Sequence, residues 1–173
     1  MALSMHQASV PVLVRALVNL REVLRKGEAH AVERGYDPNL LLQPRLAPDM
    51  FPLLRQVQIA TDMAKNACAR LAGVEPLAFA DDEASLDDLH ARLDRAIDYI
   101  GGFTADQVDG SEGRAITLQT RNNGELKFDG QSYLLHYVLP NVFFHCTTAY
   151  ALLREAGVAI GKNDFLGAAR RPA

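Results

Sequence analysis

Pro140–Arg154, PNVFFHCTTAYALLR, decides how this chain folds. Reading outward from it, Leu135, Leu139, Val142, Cys146, Ala149 and Leu153 recur at alternating spacings of four and three, which places them on one side of an α-helix that must face a core. Tyr133, Tyr137 and Phe144 fall nearly opposite that stripe at about 100° per residue. The helix is therefore central, or its outer face meets a second subunit. Aromatic side chains dominate interface energetics, which favours a subunit contact through Tyr133, Tyr137 and Phe144; a scatter of surface aromatics is the plainer alternative. Pro140 lacks a backbone donor and crowds the carbonyl of His136, so the helix is expected to kink or restart there.

Three further helices precede it. Ser4-x-x-Gln7 has the form of a capping box and opens a stripe of Leu13, Leu17, Leu20, Leu24 and Ala31, with Gly35 and Asp37-Pro38 as the stop. The stretch Tyr36 to Pro48 holds three prolines and is too long for a tight helix hairpin, so it should wrap across an end of the bundle. Asp49 is placed to cap the second helix, with Pro52 tolerated in its first turn. There Met50, Val57, Ala64 and Leu71 repeat every seven residues, and Leu53, Ala60 and Ala67 fill the gaps. The small alanines let another helix, the aromatic-rich fourth, approach closely. Ser85-x-x-Asp88 opens a third helix along Leu86, Leu89, Leu93, Ile97 and Ile100, and Gly101-Gly102 closes it.

Between Gly113 and Asp129 the period changes from helical to alternating, which reads as a β-hairpin. A loop Asn122-Asn123-Gly124 would pair Thr120 with Leu126 and Leu118 with Phe128. Two strands alone are marginal, so the hairpin should lie on the bundle. The fold class is thus all-α in the main: one domain over residues 1–173, a four-helix bundle with a long crossover and a small hairpin inserted before the last long helix.

Composition narrows the function. A net charge of −3, mixed along the chain, argues against a nucleic-acid partner. No apolar run reaches the length of a membrane span, and MALSMHQASVP does not read as a secretory signal, so a cytoplasmic location is expected. Cys68 and Cys146 sit on apolar stripes and read as reduced core thiols.

PNVFFHCTTAYALLREAGVAIGKNDFLG (140–167) and RLAPDMFPLLRQVQIATDMAKNACARLAG (45–73) resemble an uncharacterised bacterial family within the DinB/YfiT-like superfamily of four-helix bundles, and the resemblance runs over nearly the whole chain. It implies a bundle that is often homodimeric. In better-known members it also implies a divalent metal held by three histidines, one on the second helix and two on the fourth, four residues apart, used by some for thiol transfer or hydrolysis. This chain departs from that pattern. His145 falls on the second of the paired histidines, Asn141 stands four residues earlier, and the second helix offers Arg55, Gln56 and Gln58 in place of a histidine.

A zinc site wants three or four converging ligands with support behind them, and His136 and His145 project from opposite sides of their helix, so no metal cofactor is expected. Asp87, His90 and Asp94 share a helical flank but read as a solvated charged face, as do His30 and Glu33. Gly161-Lys162 lacks the spacing and the hydroxyl of a phosphate loop. What remains is a polar pocket for a small molecule lined by Gln56, Asn141 and His145, with Arg45 and Asp49 near one end. Three functions stay open: a metal-free homodimeric bundle with a small-molecule pocket, a transferase or hydrolase that rebuilt a metal site around His145, and a purely structural interaction module.

Overall fold

The computed structural model describes residues 3–120 and 124–167. Ser4 and Gln7 close the expected capping box at the start of α1 (Met5–Arg34), and Gly35, at φ +76°, ends it in the left-handed region that glycine enters most easily. The stripe Leu13, Leu17, Leu20, Leu24 and Ala31 is buried along its whole length. In α3 (Leu86–Gly101) Ser85 and Asp88 form the second capping box, and Leu86, Leu89, Leu93 and Ile100 are buried.

The second helix starts later than the Asp49 cap predicts. α2 spans Leu53–Ala72, its N-cap is Pro52 with no side-chain cap, and Asp49 is exposed. Pro52 is the cause: its ring disfavours helical backbone at the preceding residue, which holds Phe51 and everything before it out of the helix. Met50 consequently drops off the stripe and is half-buried, while Leu53, Val57, Ala60, Ala64, Ala67 and Leu71 are buried.

After a short helix α4 (Ala105–Val108) the hairpin forms from β1 (Ile116–Thr120) and β2 (Gly124–Phe128). Its register differs from the expected one by two residues: Leu118 faces Leu126, Ile116 faces Phe128 and Thr120 faces Gly124. Gly124 takes the expected left-handed backbone, at φ +65°, but it closes the ladder rather than standing in the loop, and the Thr120 hydroxyl donates to its carbonyl at 3.0 Å. Asn122 and Asn123 lie outside the described residues. An even shift leaves every side chain on its predicted face.

The last long helix is composite. Asp129 caps a single turn, α5 (Gly130–Ser132); a π-helical stretch, Tyr133–Val138, follows; α6 (Leu139–Glu155) completes it. In the π-helical stretch the Leu139 N–H donates to the Leu134 carbonyl, five residues back. The wider turn moves the buried stripe by one residue. Leu134 and Val138 are buried, whereas Leu135, expected in the core, is 40 % exposed and Leu139 is half-buried. Pro140 explains the change, since the carbonyl of His136 has no N–H to accept from in an α-helical register. From Val142 onward the expected stripe of Cys146, Ala149 and Leu153 is buried.

α1 packs on α3 and α6, and α2 packs on the same two helices, so α1 and α2 face each other across the bundle's diagonal. Gly27 lies against Leu153, while Leu20 and Val23 share a small cleft with Cys146 and Tyr150, so α1 and α6 rise together. Arg70 meets Tyr133 and Gln56 meets His145, which makes α2 antiparallel to α6. Arg21 meets Asp94 and Glu28 meets His90, which makes α3 antiparallel to α1. The connection 35–52 wraps one end of the bundle, as expected, and buries Leu41 and Leu42 there. Because α2 and α3 run the same way, residues 74–85 must return along the length of the bundle; this is the long crossover. A short α7 (Lys162–Leu166) folds back along α1 through Asn19, whose side-chain amide donates to the Phe165 carbonyl at 3.1 Å. Among the described residues no helix is long and apolar enough to cross a membrane.

Candidate functional site

His145 lies on α6 just past the point where Pro140 restarts the helix, and Gln56 lies in the first turn of α2. The antiparallel packing of these two helices brings the side chains together, with Gln56 Oε1 2.7 Å from His145 Nδ1. Gln56 is buried and His145 keeps 9 % of its surface accessible. The other end of the Gln56 amide is anchored too, Nε2 donating to the Phe51 carbonyl at 3.0 Å. That carbonyl is available because Pro52 holds Phe51 outside the helix.

Burial, helped by the nearby Arg55 cation, lowers the His145 pKa to about 4. The ring is therefore neutral near pH 7. Phe144 packs edge-on against it, ring centroids 5.2 Å apart and planes at 86°, while itself remaining 56 % exposed.

The other three expected pocket residues do not join this pair. Asn141 donates from Nδ2 to the Tyr137 carbonyl at 2.6 Å, supporting the helix backbone beside the π-helical turn. Arg45 is exposed, and its guanidinium donates to the Met50 carbonyl at 2.6 Å within the connection before α2. Asp49 is exposed as well. Nearness to the start of α2 in sequence does not make these side chains converge on His145. A groove of about 750 Å³ lies instead between α1, α6 and α7, among Pro11, Val14, Phe143, Phe165 and Leu166, and none of the five expected residues lines it.

Tyr133 also departs from expectation. It is fully buried, accepts from Arg70 Nη1 at 3.0 Å, and stacks on Tyr137 with centroids 6.0 Å apart. Phe128 of the hairpin packs against both rings, at 5.9 and 5.3 Å. The second aromatic face of the helix is thus covered within the chain at its N-terminal end, which leaves Tyr133 no surface for a second subunit. Of the three residues only Phe144 is strongly exposed; Tyr137 is half-buried.

The resemblance implies a divalent metal, and the donors present do not fit one. At this place stand one imidazole with one nitrogen already engaged and two amides bonded to the backbone or to that imidazole, where a metal wants three or four free donors. Among the described residues no three His, Cys, Asp or Glu side chains come together as metal ligands would. Cys68 and Cys146 are buried and unpaired, and burial pushes both thiols up to about 12, so they serve as core side chains.

A heavily hydrogen-bonded buried side chain was not singled out from the sequence. Arg92 is fully buried on α3. Its Nε donates to Thr61 Oγ1 at 2.7 Å, Nη1 to the Ala80 carbonyl at 3.0 Å and to Glu83 Oε1 at 2.9 Å, and Nη2 to Asp62 Oδ1 at 2.8 Å. Gln58 Nε2 donates to the second oxygen of Glu83 at 2.8 Å, and Phe79 lies under the cations of Lys65, Arg92 and Arg95. The cluster fastens the returning crossover to α2 and α3. The available signal was positional: Arg92 stands three residues after Leu89 and four before Ala96, on the apolar stripe itself.

The family described as "Domain of unknown function (DUF1993)" matches residues 5–166. Among solved structures the chain is similar to the crystal structure of a DinB family member protein from Shewanella denitrificans, with 35 % identity, coverage of 97 % of this chain and 94 % of that one, and a TM-score of 0.86. No curated protein matches the chain.

Proposed function

We propose, from the premise that the chain belongs to the DUF1993 family of DinB-like bundles, that it acts by binding and not by metal catalysis: a homodimeric bundle that has lost the three-histidine centre and takes a small molecule at His145. The observation that carries this reading is the 2.7 Å pairing of His145 Nδ1 with Gln56 Oε1. It supports the reading because the side chain that the second helix brings to His145 is an amide, where the resemblance implies a histidine. Asn141, one helical turn before His145, supports the same reading, because its amide is bonded to the Tyr137 carbonyl. The proposed dimer draws support from apolar surface beside the pair, where Phe51 and Phe144 are each more than half exposed.

Elemental mass spectrometry of the untagged protein, before and after dialysis against excess zinc, nickel or manganese, tests the first half. The expected result is no retained metal in the wild type or in His145→Ala. Near-stoichiometric metal that disappears in the variant would overturn the reading and establish a rebuilt enzyme centre. Light scattering coupled to size exclusion tests the second half; a dimer is expected in the wild type, weakened by Phe144→Ser, and a monomer at all concentrations would reject it.

A further inference from the structure

His145 keeps one nitrogen that the fold does not use. The orientation of Gln56 is fixed from behind, because only the NH2 end of its amide can face the Phe51 carbonyl, 3.0 Å away. The oxygen end therefore faces His145 Nδ1 at 2.7 Å. An amide oxygen can only accept, so Nδ1 must carry the proton of the neutral ring. Nε2 is left with a bare lone pair, directed away from Gln56. Among the described residues Gln56 is the only hydrogen-bond partner of the ring.

We infer that His145 Nε2 is a fixed acceptor for a neutral hydrogen-bond donor carried on an apolar body, the hydroxyl or N–H of a phenol-like or indole-like molecule. This rests on the reading of the bundle as a metal-free binder. Imidazole ligands in metal sites adopt the same tautomer, with an oxygen behind Nδ1 and Nε2 free to bind. One lone pair without companions does not hold a metal, but it is a complete partner for one O–H or N–H. A carboxylate or a phosphodiester brings no proton to share, and the positive field of Arg55 that opposes protonation of the ring also opposes a cationic donor. The apolar requirement comes from the neighbours: Phe144 stands edge-on to the imidazole and Phe51, whose carbonyl anchors Gln56, is likewise exposed. A donor attached to an aromatic ring meets Nε2 and aromatic surface together.

Long-range proton–nitrogen NMR of nitrogen-15-labelled protein at pH 7, with His145→Phe to assign the resonances, reads the tautomer directly. The expected pattern is a protonated Nδ1 and a bare Nε2; the reverse tautomer in metal-free protein would overturn this inference while leaving the binding function intact. Titration then compares phenol with anisole, which has the same ring but no donor. Phenol should move the Nε2 resonance saturably, anisole should not, and His145→Phe should abolish the phenol-induced changes at neighbouring amides. Equal responses to the two probes, or no response to phenol at millimolar concentration, would overturn it. Stoichiometric metal bound through His145 would instead sink the proposed function itself, so the two failures are distinguishable.

Discussion

Among the described residues two polar clusters interrupt the apolar core, and they are built to opposite specifications. Around Arg92 the guanidinium donates to Thr61, Ala80, Glu83 and Asp62, and the carboxylate of Glu83 is held from both oxygens. Around His145 a two-bond relay from Phe51 through Gln56 reaches one ring nitrogen and stops. A satisfied buried network contributes rigidity and specifies a unique arrangement; a relay that ends in an open lone pair at the edge of the core is arranged to receive something. The first cluster joins the crossover to two helices. The second joins two helices and leaves a valency over.

Breaking the first cluster should cost the most. Arg92→Ala leaves Glu83 without its buried cation, while Asp62 keeps Lys65, and removal of one partner from a buried pair destabilises by about 3–5 kcal/mol. Denaturant unfolding monitored by circular dichroism reads this as a lower midpoint. A loss below about 1 kcal/mol would mean that the cluster does not fasten the crossover to α2 and α3. Arg92→Met with Glu83→Gln should recover part of the loss, since the buried carboxylate is removed together with its cation and Asp62 keeps Lys65 at 3.2 Å.

The second cluster should show itself through pH. The folded protein holds the His145 pKa at about 4, below the ordinary histidine value near 6.5, so between these limits the unfolded chain binds more protons than the folded one. Stability therefore falls as pH drops from about 6.5 to 4. His145 contributes on the order of 2–3 kcal/mol to that fall, and its contribution is fully present above pH 6.5. Unfolding free energies of the wild type and His145→Gln across this range isolate the component. Parallel curves for the two proteins would show that the ring is not held neutral by its surroundings.

The difference between the clusters also explains what could be read from the sequence. Capping boxes at Ser4 and Ser85 and the stripes of α1, α2 and α3 follow from local periodicity, and they were legible. The π-helical turn was not, because a 3.6-residue period assumed through Pro140 places Leu135 in the core where Leu134 belongs. His145 and Gln56 were legible as a pair once two helices were taken as neighbours. Asp49 was misread as a helix cap because Pro52, not Asp49, sets the start of α2. Tyr133 was misassigned for a tertiary reason: the partner that covers it is Phe128, supplied by the hairpin of the same chain. Arg92 was passed over because a charged residue in an amphipathic helix is normally solvated, and its acidic partners lie on other segments, at Asp62 on α2 and at Asp81 and Glu83 on the crossover.

A third polar residue sharpens the comparison by belonging to neither class. His90 faces α1 from α3, its Nε2 3.4 Å from Glu28 Oε2, yet among the described residues both ring nitrogens are buried without a hydrogen bond. One of those nitrogens always carries a proton in the neutral ring, so a donor is left unsatisfied whichever tautomer forms. Replacing such a group by an apolar side chain of similar size removes the desolvation penalty without leaving a new orphan, because Glu28 is exposed enough to be hydrated. His90→Leu should consequently be neutral or stabilising by up to about 1 kcal/mol, in contrast to the losses expected at Arg92. Thermal and denaturant unfolding at pH 7 provide the check. A clear destabilisation by His90→Leu would show that the histidine has a bonded partner in solution, and His90 would then join Arg92 as a satisfied element of the core.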